Sequence, residues 1–149
     1  MLNLKTKIFY VFVLLLKSLQ LPYLPSVAIV ILNWNGKKFL EQFLPSVISS
    51  TYNNYSIVIA DNASHDDSVL FVRENYPQIR ILQNEINEGF AKGYNLALKQ
   101  VNADYYVLLN SDVEVQPGWM EPVIELMESD TNIAACQPKI LSYQNKKIV

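Results

Sequence analysis

The residues best suited to chemistry in this 149-residue sequence stand in the segment 108–114. Two leucines precede Asn110, Ser111 and Asp112, and Glu114 comes two residues later. Side chains alternate along extended backbone, so Asn110, Asp112 and Glu114 would share one side. Their oxygens suit Mg²⁺ or Mn²⁺ held jointly with substrate phosphates. An ordinary strand-ending turn explains the same letters, because asparagine, serine and aspartate are frequent turn formers.

A second polar cluster, residues 61–68, contains three aspartates, one histidine and two serines. Asp61 stands where an apolar run ends, so its carboxylate could accept hydrogen bonds from a nucleobase N–H or a ribose hydroxyl. Asp66 or Asp67 could equally cap the helix that follows. We interpret His65 as a solvated loop histidine, because no serine or cysteine arrangement makes it a catalytic base.

The third cluster, residues 84–93, contains two glycines and Lys92. Gly89 could adopt a backbone angle that other residues avoid, at the start of a helix. Exposed N–H groups there could face an anion, with Lys92 nearby; a glycine turn followed by a surface lysine is the alternative. Neither the dinucleotide-binding glycine pattern nor the phosphate-binding loop of nucleotide hydrolases is present.

Each cluster follows an apolar run, and a fourth polar segment, Asn33–Gly36, follows the first run. Continuous apolar runs favour strands buried on both faces, and stripes of helical period favour helices between them. We predict strands over 27–32, 55–60, 79–82, 105–109 and 133–136, and helices over about 39–48, 67–76, 90–101 and 117–127.

Alternating strands and helices predict a three-layer α/β/α domain with a mostly parallel sheet. Ligands of such sheets bind outside the carboxyl ends of the strands, where all four polar segments would meet. Within the elements, we expect Leu70 and Phe90 to face inward, Pro45 to kink or restart its helix, Pro117 to lie in a first helical turn, and Cys136 to be buried.

The composition is that of a folded domain, with 50% hydrophobic and 17% charged residues. The net charge of −2 gives no overall basic surface, so we expect no nucleic-acid partner. One cysteine and one histidine exclude an internal disulfide and a Cys/His zinc site. A hard cation bound by oxygen ligands remains compatible with this composition.

We assign residues 1–25 to an apolar, basic extension and residues 26–149 to the domain. Lys5 and Lys7 precede nine apolar residues, Ile8–Leu16, whereas a membrane-spanning helix needs about 20. No cleavage site of the signal-peptide type follows. A helix lying on an anionic membrane surface is one interpretation, and a hydrophobic extension packed on a neighbouring element is the other.

Four segments in order, Val27–Gly36, Ile57–Ser64, Asn87–Ala91 and Leu108–Asp112, resemble the rhamnosyltransferase-like branch of the inverting family 2 glycosyltransferases. The resemblance implies a GT-A fold, truncated at its carboxyl end, whose amino-terminal half binds a nucleotide-diphosphate sugar. Asp61 or Asn62 would then contact the base. The residues it assigns to donor binding are Leu32, Asn33, Asn35, Asp61, Asn62, Gly89, Lys92, Asn110 and Ser111.

The same resemblance places Asn110 and Asp112 at the metal-binding position of the family, with Mg²⁺ or Mn²⁺ as cofactor. Many members have aspartate where this sequence has Asn110, which leaves one negative charge fewer. Asp112 would then be the main ligand, coordinating the cation together with the donor diphosphate. The cation is needed because charge builds on the leaving nucleoside diphosphate.

The implied reaction is sugar transfer with inversion to a saccharide or lipid-linked acceptor, in polysaccharide or glycolipid assembly. Inversion requires a base; the resemblance places it beyond Val149, and we nominate no catalytic residue. The alternative is a non-catalytic nucleotide-sugar-binding module, while absent glycine patterns disfavour a nucleotidyltransferase or dehydrogenase. Nucleotide sugars are cytoplasmic in bacteria, so we expect the chain at the cytoplasmic face, with residues 1–25 near the membrane.

Overall fold

The computed structural model describes residues 23–144, in which strands and helices alternate. The elements are β1 (Val27–Asn33), α1 (Lys37–Ile48), β2 (Tyr55–Asp61), α2 (Ser68–Asn75), β3 (Arg80–Gln83), α3 (Gly89–Leu98), β4 (Tyr105–Asn110) and α4 (Glu121–Ser129). Of the helices in this part of the chain, not one has the length and hydropathy to cross a bilayer. The apolar run Ile8–Leu16 lies outside the described residues, so its membrane contact stays a prediction.

The strands form one parallel sheet in the order β3–β2–β1–β4. Asn33 at the end of β1 is opposite Asp61 of β2, and Leu32 is opposite Asn110 of β4. The chain first moves outward from β1 to β3 and then returns to the other side of β1. The strand order therefore reverses between β1 and β4, which is where ligand crevices of such sheets lie.

Helices cover both faces of this sheet. Ile29 and Ile31 of β1 belong to the larger apolar core, which includes buried residues of α1, α2 and α4. Val30, which faces the other way, packs with Tyr94 and Ala97 of α3. The predicted three-layer α/β/α arrangement is confirmed.

The predicted fifth strand is wrong. Residues 133–136 have no regular secondary structure, and Cys136 is exposed rather than buried. This run is only four residues long, and its two alanines, Ala134 and Ala135, offer little apolar surface to bury.

Two predicted inward-facing side chains are exposed, Leu70 by 53% and Phe90 by 65%. Leu70 lies two residues from the buried Val72, which places it on the opposite side of α2. Phe90 lies in the first turn of α3 and packs edge-on against Tyr94, with 5.0 Å between ring centroids.

One of the two prolines differs from expectation. Pro122 rather than Pro117 lies in the first turn of α4, because Pro117 belongs to the preceding loop, where its carbonyl accepts the N–H of Thr51. Pro45 lies inside α1, which continues as one helix and does not restart there.

The carboxylate of Asp66 joins the first turns of α1 and α2. Oδ2 accepts the N–H of Lys37 at 2.9 Å, and Oδ1 accepts the N–H of Ser68 at 3.1 Å. Burial disfavours the charged carboxylate, but hydrogen bonds from Ser68 and Lys37 outweigh it and lower the pKa of Asp66. Asp67 is the N-cap residue of α2 but makes no side-chain cap hydrogen bond, so the capping expectation holds only in that Asp66, one residue earlier, accepts the first N–H of the helix.

We predict that Asp66→Asn lowers the free energy of unfolding at pH 7 by about 1 kcal/mol, because it loses a charged double cap. The folded-state pKa lies below the ordinary value of 3.8. The stabilisation is therefore present above that pH and lost as pH falls through the lowered pKa. Urea unfolding of the unaltered chain and of Asp66→Asn at pH 7 measures the lost stability. The same comparison at pH 3 measures how far the difference shrinks as Asp66 becomes protonated.

Asp67→Asn is the matched control. Its carboxylate lies 3.5 Å from the Lys37 ammonium and is 72% exposed, so we expect a change within about 0.5 kcal/mol. Equal destabilisation by the two substitutions would contradict the double cap.

Candidate functional site

The turns after β1 and β4 meet at the carboxyl edge of the sheet. A Cβ added to Gly36 would lie 2.3 Å from Asn33 Oδ1 and 3.2 Å from Ser111 Oγ, so Gly36 fits between the two turns. Asn33 is in turn paired with Asp61 on β2. The structure therefore brings three of the predicted polar segments together, and Asp112 follows Ser111 directly.

Asn33 is fully buried, and its amide ties β1 to the loop after β2. Its Nδ2 lies 3.0 Å from Asp61 Oδ1, 3.1 Å from Ser64 Oγ and 2.9 Å from Ser68 Oγ. Its Oδ1 has no hydrogen-bond partner within residues 23–144 and faces the bare Cα of Gly36. Asn33 thus supports the site from inside, and a direct contact with nucleotide stays a prediction.

The turn after β1 closes onto the loop after β2 through Asn35. Its N–H donates to Ser64 Oγ at 2.9 Å, and its Oδ1 accepts the N–H of His65 at 2.7 Å. Asn35 has a φ of 50°, a left-handed conformation that asparagine tolerates better than most residues. Asp61 is also held, because its Oδ2 accepts the N–H of Ser64 at 3.1 Å.

Asn62, which is 2% exposed, connects the end of β2 to the loop before α3. Its Nδ2 donates to Asn87 Oδ1 at 2.7 Å and to the carbonyl of Gly89 at 3.1 Å. Its Oδ1 accepts Asn84 Nδ2 at 3.1 Å and the N–H of Glu88 at 2.9 Å. The side chain is bonded to this loop on both its donor and its acceptor side.

The start of α3 matches the conformation expected of Gly89. Gly89 has a φ of 72°, and an added Cβ would meet no atom within 4 Å, so its backbone angle rather than space favours glycine. Lys92, one turn later, is 63% exposed and forms an ion pair with Glu88. The charge of Lys92 near the loop is therefore shared with an acid.

Asn110 and Asp112 are both exposed at the end of β4. The Tyr94 hydroxyl donates to the carbonyl of Leu109 at 2.9 Å, which fixes this strand end against α3. Burial raises the pKa of Tyr94, and the negative charge of Asp112 raises it further. The exposed Asp112 therefore lies close enough to Tyr94 for its charge to act on that hydroxyl.

These oxygens fit a shared cation site better than an all-protein one. Within the described residues no group of three histidine, cysteine, aspartate or glutamate side chains is arranged to hold a metal. The carboxylate of Asp112, in the turn after β4, and the amide of Asn110, at the end of β4, are both exposed to solvent. Mg²⁺ keeps several waters and often takes only one or two carboxylates plus phosphates, so the donor set is compatible with it.

Sequence analysis missed two supporting residues. Trp34 is 56% exposed between Asn33 and Asn35, and an aromatic residue directly after a buried strand was the signal for it. Ser46 Oγ accepts the N–H of Val115 at 3.1 Å and so anchors the segment after Asp112 to α1. That contact joins residues 69 positions apart and has no local sequence signal.

We predict that Gly36→Ala lowers the free energy of unfolding by about 1–3 kcal/mol, because its Cβ would overlap the buried Asn33 amide. Gly118→Ala is the control, since its Cβ would lie no nearer than 3.9 Å to Thr51 Oγ1. Urea unfolding of both variants measures the difference. A Gly36→Ala chain as stable as the Gly118→Ala chain would show that the turns are not closely packed.

Comparison with known proteins finds relatives that are named as glycosyltransferases. An uncharacterized glycosyltransferase of Haemophilus influenzae is 25% identical over 114 residues, covering 74% of this chain and 35% of the relative. The N-acetylglucosaminyl-diphospho-decaprenol L-rhamnosyltransferase of Mycobacterium tuberculosis is 26% identical over 128 residues, covering 78% and 41%. The chain thus spans about a third of the length of the first relative.

Solved structures show the same fold. TarS 1–349 of S. aureus in complex with UDP-GlcNAc has a TM-score of 0.64 at 17% identity, covering 78% of this chain and 38% of that one. The mannosyltransferase PcManGT of Pyrobaculum calidifontis, in complex with GDP-Man and Mn²⁺, has a TM-score of 0.57 at 21% identity, covering 71% and 35%. The predicted GT-A type fold is confirmed.

The family model for Glycosyl transferase family 2 matches residues 26–148. This match confirms the resemblance that the four ordered sequence segments indicated. With most of its length matched and the fold of glycosyltransferases, the chain belongs to glycosyl transferase family 2.

Proposed function

We propose that this chain is the donor-binding part of an inverting glycosyltransferase and binds a nucleotide-diphosphate sugar at the carboxyl edge of its sheet. The observation that carries the proposal is the close approach of the turns after β1 and β4 at Gly36. This approach lies where the strand order reverses, the position at which open α/β sheets bind ligands. Titration with nucleotide-diphosphate sugars tests it.

The polar loops supply contacts for the nucleotide half of the donor. Trp34 offers an exposed aromatic face, on which a base can stack whatever its identity. Asp61 and Asn33 are buried behind this edge, and with Asn35 they fix the conformation of the turn after β1 and of the loop after β2. The complexes of TarS with UDP-GlcNAc and of PcManGT with GDP-Man support a nucleotide sugar as the ligand class.

The diphosphate half would lie between the end of β4 and the start of α3. We assign Asp112 and Asn110 as ligands of Mg²⁺ or Mn²⁺, and Gly89 and Lys92 as contacts of the diphosphate. A bound divalent cation stabilises the charge that develops on the leaving diphosphate. The Mn²⁺ in the PcManGT complex supports this choice of cofactor.

The acceptor and the catalytic base belong to a further part of the proposal. Inversion requires a base that removes the acceptor proton, and we place it in sequence beyond Val149, which the greater length of the relatives supports. The acceptor we propose is a saccharide or a lipid-linked saccharide, which the diphospho-decaprenol in the name of the rhamnosyltransferase relative supports. We further propose that the chain acts at the cytoplasmic face of the membrane.

We expect Asp112→Asn to lose the Mn²⁺-dependent part of nucleotide binding, a weakening of about tenfold or more, because the main anionic ligand is removed. Calorimetry with UDP, GDP and dTDP sugars, with and without Mn²⁺, measures it. Glu125→Gln, which neutralises an exposed acid of α4, should bind like the unaltered chain.

Metal-dependent binding that is unchanged in Asp112→Asn would refute its assigned role. Donor hydrolysis or transfer in the same samples separates an enzyme from the alternative, a nucleotide-sugar-binding module. Binding without any turnover would favour the module for this chain.

A further inference from the structure

We propose that Asn62 is a positioning residue that sets the shape of the loop 84–89, and does not itself contact the nucleobase. This inference rests on the proposed function, because Gly89 and Lys92 at the start of α3 are the residues assigned there to the donor diphosphate. It gives Asn62 a different role from the base contact implied by family resemblance.

The amide of Asn62 has no capacity left for a ligand. A primary amide offers two N–H donors and two acceptor positions on its oxygen. All four are used, by Asn87, Gly89, Asn84 and Glu88. The side chain is only 2% exposed, so a base could reach it only by breaking a bond that the loop then leaves unsatisfied.

The four partners all belong to one loop, which makes Asn62 the common anchor of that loop. Two bonds go to backbone atoms, the carbonyl of Gly89 and the N–H of Glu88, and so restrict the loop conformation directly. Asn87 extends the network, since its Oδ1 also accepts the N–H of Gly89 at 2.9 Å.

Packing joins the same anchor to the first turns of α3. A Cβ on Gly93 would lie 3.4 Å from Asn62 Nδ2 and 2.9 Å from Leu32 Cδ1, so α3 approaches the ends of β1 and β2 closely. Gly89, whose carbonyl Asn62 holds, has the left-handed φ of 72° that starts the helix. Loss of the anchor would therefore move the backbone that carries Lys92.

The two roles for Asn62 predict different ligand profiles. If Asn62 is a positioning residue, the substitution Asn62→Ala should weaken the binding of UDP, GDP and inorganic pyrophosphate alike, each by about tenfold with Mn²⁺ present. The ratio of UDP to GDP affinity should stay the same. A base contact instead predicts a changed ratio and unchanged pyrophosphate binding, and that result would overturn the proposal.

Asn87→Ala provides the second variant, because Asn87 is exposed and its loss threatens folding less. It removes the acceptor shared by Asn62 and Gly89, so it should reproduce the weakening of all three ligands. Asn95→Ala, at an exposed position of α3, is the matched control and should bind all three like the unaltered chain. Unchanged binding by Asn87→Ala would contradict the network.

A pH profile separates positioning from simple truncation. Asn62→Asp keeps the acceptor contacts with Asn84 and Glu88 but turns a carboxylate oxygen toward Asn87 Oδ1 and the Gly89 carbonyl. Protonation of the introduced carboxyl restores one donor, and its pKa should be raised by burial beside acceptors. Its binding deficit relative to the unaltered chain should shrink between pH 7 and pH 5, whereas a constant deficit would overturn the role.

Hydrogen exchange distinguishes a failure here from a failure of the proposed function. The amide of Glu88, which donates to Asn62, should exchange at least about tenfold faster in Asn62→Ala than the loss of global stability of that variant alone explains. If it does not, the anchor is wrong. If it does, but the unaltered chain binds neither UDP, GDP nor pyrophosphate, the proposed function fails. The role of Asn62 in positioning the loop for the nucleotide sugar then fails with it, although the anchor itself stands.

Discussion

The buried amide of Asn33 is the interaction on which the carboxyl edge of the sheet depends. It lies at the end of β1, one of the two inner strands of the sheet, and reaches Asp61 on β2, Ser64 in the following loop and Ser68 at the start of α2. Leaving such groups buried without partners would cost about 1–3 kcal/mol each. One amide therefore links the end of β1 to the conformation of the loop after β2.

Glycine completes this arrangement where a side chain would obstruct it. Gly36 lets the turn after β1 pass close to both Asn33 and Ser111, and Gly93 lets α3 approach Leu32 and Asn62. Asparagine amides and close-packed glycines thus hold the loops after all four strands together at the carboxyl edge of the sheet. The exposed groups, Trp34, Asn110 and Asp112, are carried on that hydrogen-bonded support, which suits the proposed diphosphate and cation site.

Sequence reasoning recovered the strands and their common edge because apolar runs and the polar segments after them are local signals. It failed for 133–136 and Leu70, where a short run or a single apolar residue gave no information about packing partners. It could not assign Asn33 or Asn62 as supports. Their bonds join residues 22 to 35 positions apart, and an asparagine that supports a loop looks the same in sequence as one that binds a ligand.

The most direct measurement of the central claim is amide line broadening in the ¹⁵N-labelled chain on addition of Mn²⁺ with UDP or GDP. The paramagnetic ion should broaden the signals of Asn110, Asp112 and Gly36, and leave Tyr55 and Tyr105, at the amino ends of β2 and β4, unaffected. Broadening centred on the amino ends, or none with either nucleotide, would contradict a donor and cation site at the carboxyl edge.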